Sequence, residues 1–103
     1  MIGIGLIGYG YWGPNLARNF AEHPRAKLRT LCDQRGDRRA LAHSRYPGCE
    51  VVSDYRAVMD DPEVDAVLIA TPVSTHAVLA EQALLAGKHV WIEKPMAIRS
   101  EEA

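Results

Sequence analysis

Three glycines follow the first apolar run of the chain, and their spacing suits a turn that binds a phosphate. The stretch GLIGYGYWGPN, residues 5–15, places Gly8, Gly10 and Gly13 in a G-x-G-x-x-G pattern. In such a turn the first glycine makes the tight bend and the second lets the backbone approach a diphosphate, while the third lets a helix pack close to the sheet. The pattern also occurs in β-α turns that bind nothing, so its context decides.

The residues around the glycines favour a dinucleotide site. Backbone N–H groups near Tyr11 and Trp12, at the positive end of a predicted helix, would bind the phosphates. Asp33 lies 20 residues after Gly13, at the predicted end of the second strand. An acid at that point accepts hydrogen bonds from the ribose hydroxyls of adenosine. We expect Gln34, its neighbour, in the same site.

The charge of Asp33 bears on which dinucleotide is bound. A carboxylate at this position would repel a 2′-phosphate, which favours NAD over NADP. Three arginines, Arg35, Arg38 and Arg39, follow closely, and one of them could turn toward a phosphate and offset the repulsion. A solvated helix face is the alternative interpretation of these arginines. The sequence therefore predicts NAD as the cofactor and leaves NADP possible.

Two later stretches come directly after predicted strands, at the edge where ligands of open α/β sheets gather. The first contains Thr71 and Pro72, with His76 in the first turn of the next helix. We expect this stretch beside the nicotinamide half of the cofactor. The second contains Glu93 and Lys94. A lone histidine or lysine at such a place is more commonly a surface residue than a ligand, so both assignments depend on the surrounding motifs.

Apolar runs alternate with segments of helical spacing along the chain. The runs predict five strands, at Ile2–Ile7, 27–32, 49–52, 64–70 and His89–Ile92. Helices are predicted between them, over 16–21, 38–45 and around 57–59, and from an N-cap at Ser74 to a C-cap at Gly87. Such short connections imply a Rossmann-type α/β fold, a doubly wound parallel sheet with strand order 3-2-1-4-5.

The composition is that of one small globular domain over residues 1–103. Hydrophobic residues make up 48% of the chain and the formal net charge is -1, so neither nucleic acid nor a membrane is expected as a partner. The N-terminus lacks the features of a signal peptide, so we expect a cytoplasmic protein. Cys32 and Cys49 have neither a CxxC relation nor a histidine at ligand spacing. This predicts two reduced core thiols and no metal site.

The last residues predict that the chain continues. Ser100, Glu101 and Glu102 have the composition of a helix N-terminus, a capping hydroxyl followed by acids. We therefore expect residues 1–103 to be the front part of a longer two-domain protein, truncated before its C-terminal domain. A frayed natural C-terminus is the alternative. A missing sixth strand would leave one edge of the sheet uncovered, so weak self-association is also expected.

Four motifs occur in order along the chain: the glycine stretch, Cys32-Asp33, Ala70-Thr71-Pro72 with His76, and Glu93-Lys94-Pro95. Together they resemble the N-terminal domain of the glucose-fructose oxidoreductase, inositol dehydrogenase and rhizopine-catabolism family (Gfo/Idh/MocA). The resemblance implies NAD(P)-dependent hydride transfer between the nicotinamide and a secondary alcohol or ketone. A sugar, polyol or nucleotide sugar would be the substrate.

The resemblance also implies roles for individual residues. Lys94 would be the catalytic residue beside the reacting hydroxyl, as proton-transfer partner or as a positive charge that stabilises an alkoxide, and Glu93 would shape its loop. Val73 stands where Asn is common in the family, which puts an amide contact near the cofactor in doubt.

Members of the family carry further catalytic groups in a C-terminal α/β domain that also forms the oligomer interface. The resemblance thus implies a homo-oligomeric parent protein and a fragment that binds the cofactor without efficient catalysis. A dinucleotide-binding or sensing module that performs no chemistry is the alternative.

Overall fold

A five-stranded parallel sheet forms the centre of the molecule. The computed structural model describes residues 1–10 and 13–92. Its strands are β1 (Ile2–Ile7), β2 (Ala26–Cys32), β3 (Glu50–Val52), β4 (Ala66–Ile69) and β5 (His89–Ile92). Their order is β3-β2-β1-β4-β5, and each neighbouring pair is parallel. The predicted Rossmann-type strand order is confirmed.

Helices cover both faces of this sheet. They are α1 (Gly13–Ala21), α2 (Gly36–Arg45), α3 (Arg56–Met59) and α4 (His76–Leu85), and a 3₁₀ turn at Val73–Thr75 precedes the last. The helices α1 and α2 bury Leu16, Ala17 and Ala42 in one apolar cluster. The helices α3 and α4 bury Val58, Met59, Leu79 and Ala83 in a second. Two separate clusters are what a doubly wound sheet requires, because each face of it must be covered.

The strands end at a common level, which brings the segments after them together. Ile7 of β1 is paired with Cys32 of β2 and with Ile69 of β4, and Ile69 is paired with Ile92 of β5. Cys32 is in turn paired with Val52 at the end of β3. The turns that follow β1, β2, β3 and β4 therefore begin at one edge of the sheet.

Several element boundaries differ from the prediction; α1, for example, begins at Gly13 rather than at residue 16. The helix α2 begins at Gly36 rather than at residue 38, and β4 spans only Ala66–Ile69. The predicted N-cap at Ser74 is replaced by the 3₁₀ turn, and α4 begins at His76 without a side-chain cap. The predicted C-cap is present: Gly87 has φ +79°, and the Lys88 N–H donates to the Ala83 carbonyl at 3.0 Å.

The opposite edge of the sheet has its own polar contacts. Asp65 Oδ2 accepts the N–H of Gly3 at 2.8 Å, and the buried Lys88 Nζ donates to the carbonyls of Asp61 and Val64 at 2.9 and 2.7 Å. The two bonds of Lys88 satisfy an ammonium group that would otherwise be costly to bury, whereas Asp65 is exposed. Within the described part of the chain, no helix has the length and apolar character needed to cross a membrane.

Candidate dinucleotide site

A cleft of about 1100 Å³ lies along the edge where the strands end. Its walls come from the turns after β1, β2, β3 and β4. Six of the predicted site residues line it, namely Gly8, Gly10, Asp33, Gln34, Thr71 and Pro72. Gly13 and His76 lie outside the lining. Tyr11, Trp12, Glu93 and Lys94 fall outside the described residues, so their placement stays a prediction.

The three glycines of the first turn meet different constraints. Gly8 has φ +101°, and a Cβ there would lie 2.8 Å from the carbonyl oxygen of Ala70. A Cβ on Gly13 would overlap the carbonyl oxygen of Gly8, so only glycine lets α1 begin this close to the turn. A Cβ on Gly10 would meet no described atom within 4 Å. The protein's own packing thus requires glycine at Gly8 and Gly13, whereas the open space at Gly10 fits the approach of a ligand.

Asp33 is half-buried in the cleft and binds two backbone amides. Its Oδ2 accepts the N–H of Tyr9 at 2.8 Å, and its Oδ1 accepts the N–H of Arg35 at 2.9 Å. An ionised carboxylate has about four lone-pair sites, so roughly two of them remain for hydroxyl donors. The residue can therefore hold the glycine-rich turn and a ribose together. The first of these functions is not evident from the sequence pattern.

Two of the three arginines after Asp33 bind backbone carbonyls instead of facing solvent. Arg38 Nε and Nη2 donate to the carbonyls of Tyr9 and Gly10 at 2.8 and 3.0 Å. Arg39 Nη1 donates to the carbonyls of Asp33 and Gln34, at 2.9 Å each. A solvated helix face does not describe these two side chains. Both have intermediate exposure and link α2 to the neighbouring loops.

The rim of the cleft carries two ion pairs. Arg35 lies 2.8 Å from Asp37, and Arg56 lies 3.0 Å from Asp54. Hydrogen bonds from Arg56 lower the pKa of Asp54 below its ordinary value. Each arginine on the rim is thus already paired with a carboxylate. Ion pairs this exposed contribute little to stability, so Arg35 can exchange its partner at small cost.

Hydroxyl groups after β4 form a short directional chain. Thr75 Oγ1 donates to the Pro72 carbonyl at 2.7 Å and lies 2.6 Å from Thr71 Oγ1. Because a hydroxyl has one proton, Thr71 must be the donor in the second bond. The Thr71 oxygen is left with acceptor capacity at the cleft wall, which suits an N–H or O–H donor of a ligand.

His76 is buried at the base of the same loop. Its Nε2 lies 2.8 Å from the Thr71 carbonyl oxygen, so Nε2 carries a proton and donates. The imidazole is bonded to the loop after β4 but does not line the cleft. Its predicted contact with the cofactor stays a prediction.

The two cysteines are free and buried. Burial raises the pKa of the Cys32 thiol to about 11, and the negative charges of Asp33 and Asp54 act in the same direction. Burial likewise raises the pKa of Cys49 to about 12. Both thiols are therefore neutral near pH 7 and poor nucleophiles. Among residues 1–10 and 13–92, no group of three or more His, Cys, Asp or Glu could hold a metal ion.

Comparison with known proteins assigns the chain to a family. A family model described as an oxidoreductase family with an NAD-binding Rossmann fold matches residues 2–103. The chain belongs to the Gfo/Idh/MocA family. It is an NAD-binding Rossmann domain of that family, as the four motifs predict.

Relatives agree with this assignment. The uncharacterised oxidoreductase YdgJ of Escherichia coli is 35% identical over 103 residues, which cover 99% of this chain and 29% of that protein. The structure of scyllo-inositol dehydrogenase from Lactobacillus casei with bound NAD(H) and scyllo-inositol has a TM-score of 0.85 at 34% identity. It is matched over 92% of this chain and 28% of that one.

A third relative was crystallised with NADP instead of NAD(H). A variant of a 3-ketoreductase from Actinomadura kijaniata, in complex with TDP-benzene and NADP, has a TM-score of 0.83 at 31% identity. The match covers 92% of this chain and 30% of that structure. The chain thus spans less than a third of the length of these relatives.

Proposed function

We propose that this chain is the nucleotide-binding domain of an oxidoreductase that transfers a hydride between a nicotinamide and a secondary alcohol or ketone. The main support is the position of the Asp33 carboxylate, which lies in the cleft beside the glycine-rich turn. It accepts two backbone amides and can still accept hydrogen bonds from a ligand. NAD is the preferred cofactor and NADP the weaker one, because this carboxylate repels a 2′-phosphate.

The described residues suit the two halves of a dinucleotide. Asp33 and Gln34 lie where the adenosine ribose would bind, and the open backbone at Gly10 leaves room for the diphosphate. Thr71 and Pro72 line the wall after β4. The nicotinamide half of the cofactor would bind on this side, because the connections of the sheet change direction between β1 and β4. His76 acts on this wall through the Thr71 carbonyl. The nicotinamide, when bound, supplies the hydride chemistry, and these residues orient it.

We assign the catalytic step to Lys94, with Glu93 beside it. Lys94 would hold or move the proton of the reacting hydroxyl, and Glu93 would shape the loop that presents it. This assignment rests on the Glu93-Lys94-Pro95 motif. The substrate class, a sugar, polyol or nucleotide sugar, is supported by relatives whose structures contain scyllo-inositol or TDP-benzene.

The whole protein would carry its remaining catalytic groups and its oligomer interface in a further domain. Matching relatives are more than three times as long as this chain, which supports that organisation. Residues 1–103 alone would then bind the cofactor without efficient turnover.

Titration of the chain with NADH and NADPH tests the proposal. We expect saturable binding of both, with NADH the tighter ligand, measured by calorimetry and by quenching of protein fluorescence. Absence of binding by either nucleotide at millimolar concentration would overturn the proposed site. Tighter binding of NADPH would overturn the role given to Asp33.

A further inference from the structure

We infer that Arg38 is a positioning residue for the cofactor diphosphate, which it serves by clamping two successive carbonyls of the glycine-rich turn. The inference rests on the proposed function, since it concerns the same cleft. Arg38 belongs to α2 and lies 29 and 28 positions along the chain from the two residues whose carbonyls it binds, Tyr9 and Gly10. No motif of the dinucleotide fingerprint contains it.

The Tyr9 backbone is held from two sides by the second β-α unit. Its N–H donates to Asp33 Oδ2 at 2.8 Å, and its carbonyl accepts from Arg38 Nε at 2.8 Å. The guanidinium also lies over the Tyr9 ring, with Cζ 6.0 Å from the ring centroid. One arginine therefore contacts the backbone and the side chain of the residue between the first two glycines.

The clamp also determines where the next amide points. A trans peptide directs its carbonyl and its N–H to opposite sides. Because the Tyr9 carbonyl is directed at Arg38, the N–H of Gly10 is directed away from α2. Among the described residues this N–H donates to no partner. Of the three glycines in the motif, Gly10 is the one whose Cβ position is open, and a backbone donor there that no described residue binds suits an anionic oxygen.

Glycine makes such a clamp necessary. Gly10 has no side chain to restrict its backbone, and freezing a glycine costs more conformational entropy than freezing any other residue. A bidentate bond from a helix-anchored guanidinium orders the turn before the ligand arrives, and such preorganisation strengthens binding. The positive charge behind the turn adds attraction for a diphosphate that it does not touch.

The neighbouring arginine supplies a matched control. Arg39 lies on the same helix, carries the same charge and also donates to two carbonyls, those of Asp33 and Gln34. Its bonds lie beside the predicted ribose site rather than the glycine-rich turn. The two arginines therefore separate an effect on the diphosphate from an effect on the adenosine.

The experiment compares two probes, adenosine and ADP-ribose, with the wild-type chain and with Arg38→Met, Arg38→Lys and Arg39→Met. Affinities are measured by NMR titration, and thermal unfolding monitors the fold. For Arg38→Met we expect ADP-ribose to bind roughly tenfold more weakly while adenosine affinity stays within about twofold, the loss typical of a charge-assisted contact. Arg38→Lys should resemble Arg38→Met, because an ammonium cannot span both carbonyls.

Arg39→Met should change the affinities of both probes by the same factor. An unchanged ratio of the two affinities in Arg38→Met would overturn the inference, and so would wild-type behaviour of Arg38→Lys. If Arg38→Met does not fold, the ratio of the two affinities in Arg38→Lys is the test by itself. Failure of the wild-type chain to bind ADP-ribose at millimolar concentration would instead overturn the proposed function, so the two failures are distinguishable.

Discussion

Asp33 Oδ2 lies 2.8 Å from the backbone nitrogen of Tyr9, so the acid at the end of β2 is bonded to the turn that follows β1. The same carboxylate has lone pairs left for a ribose. One side chain thus joins the two parts of the predicted dinucleotide site, and loss of its charge should affect both.

Replacement of Asp33 should weaken nucleotide binding more than it weakens the fold. For Asp33→Ala we expect a loss of NADH affinity of roughly 10- to 100-fold, as for removal of a charged hydrogen-bond acceptor. Calorimetric titration measures this loss. Asp65→Ala is the matched control, since Asp65 also accepts a backbone amide, that of Gly3 in β1, at the opposite edge of the sheet. Equal loss in both variants would show that Asp33 acts through stability alone.

The contact between Gly13 and Gly8 predicts a large effect of one methyl group. Gly13→Ala places a Cβ on the Gly8 carbonyl oxygen, and α1 must shift. We expect a loss of about 1–3 kcal/mol in the free energy of unfolding, the usual cost of overpacking. Urea denaturation measures it. Gly48→Ala is the control because its Cβ would meet no described atom within 4 Å, so a similar loss there would contradict the explanation.

Stability should fall at alkaline pH because of the two buried thiols. The pKa of Cys32 is about 11 and that of Cys49 about 12, both raised by burial from 9.0. Since these pKa values are raised in the fold, the stabilisation is complete below pH 9 and is lost as the pH rises through the folded values. Urea midpoints should therefore fall less steeply with pH in the variant Cys32→Ala/Cys49→Ala. Parallel pH profiles would contradict this.

Lys94 should matter for turnover in the full-length protein. Lys94→Ala should lower kcat by roughly 10²- to 10⁴-fold, the usual contribution of a positioned proton-transfer group. NADH affinity should change far less than kcat. Lys27→Ala, which removes an exposed lysine of β2, is the control and should leave turnover unchanged. Normal kcat in Lys94→Ala would refute the catalytic assignment.

The exposed side of β5 should support weak self-association of residues 1–103. Among the described strands β5 pairs only with β4, and its Trp91 is 55% exposed. We expect sedimentation equilibrium at high concentration to give an average mass above 11.4 kDa. Trp91→Lys should lower that mass, whereas Leu85→Lys, at an exposed helical position, should not. A monomer at every concentration would contradict the expectation.

Local patterns in the sequence determined most of the fold and part of the site. Apolar runs and helical spacing are properties of neighbouring residues, so they predict the elements, and their β-α alternation predicts a doubly wound parallel sheet. The order 3-2-1-4-5 follows once the glycine motif after β1 marks the sheet as Rossmann-type, because other doubly wound orders have the same handedness. Asp33 was predicted at the cleft for the same reason, because the end of a strand is visible in the sequence. The assignments to residues 11–12 and 93–95 stay predictions.

The tertiary structure alone decided how the polar side chains are used. Arg38 and Arg39 are adjacent in sequence yet bind different loops, and His76 turns inward to the Thr71 carbonyl. The direction of a helical side chain depends on how the helix is rotated and docked against its neighbours. That arrangement arises from contacts between residues far apart in the chain, such as Arg38 and Tyr9, and no local pattern encodes it.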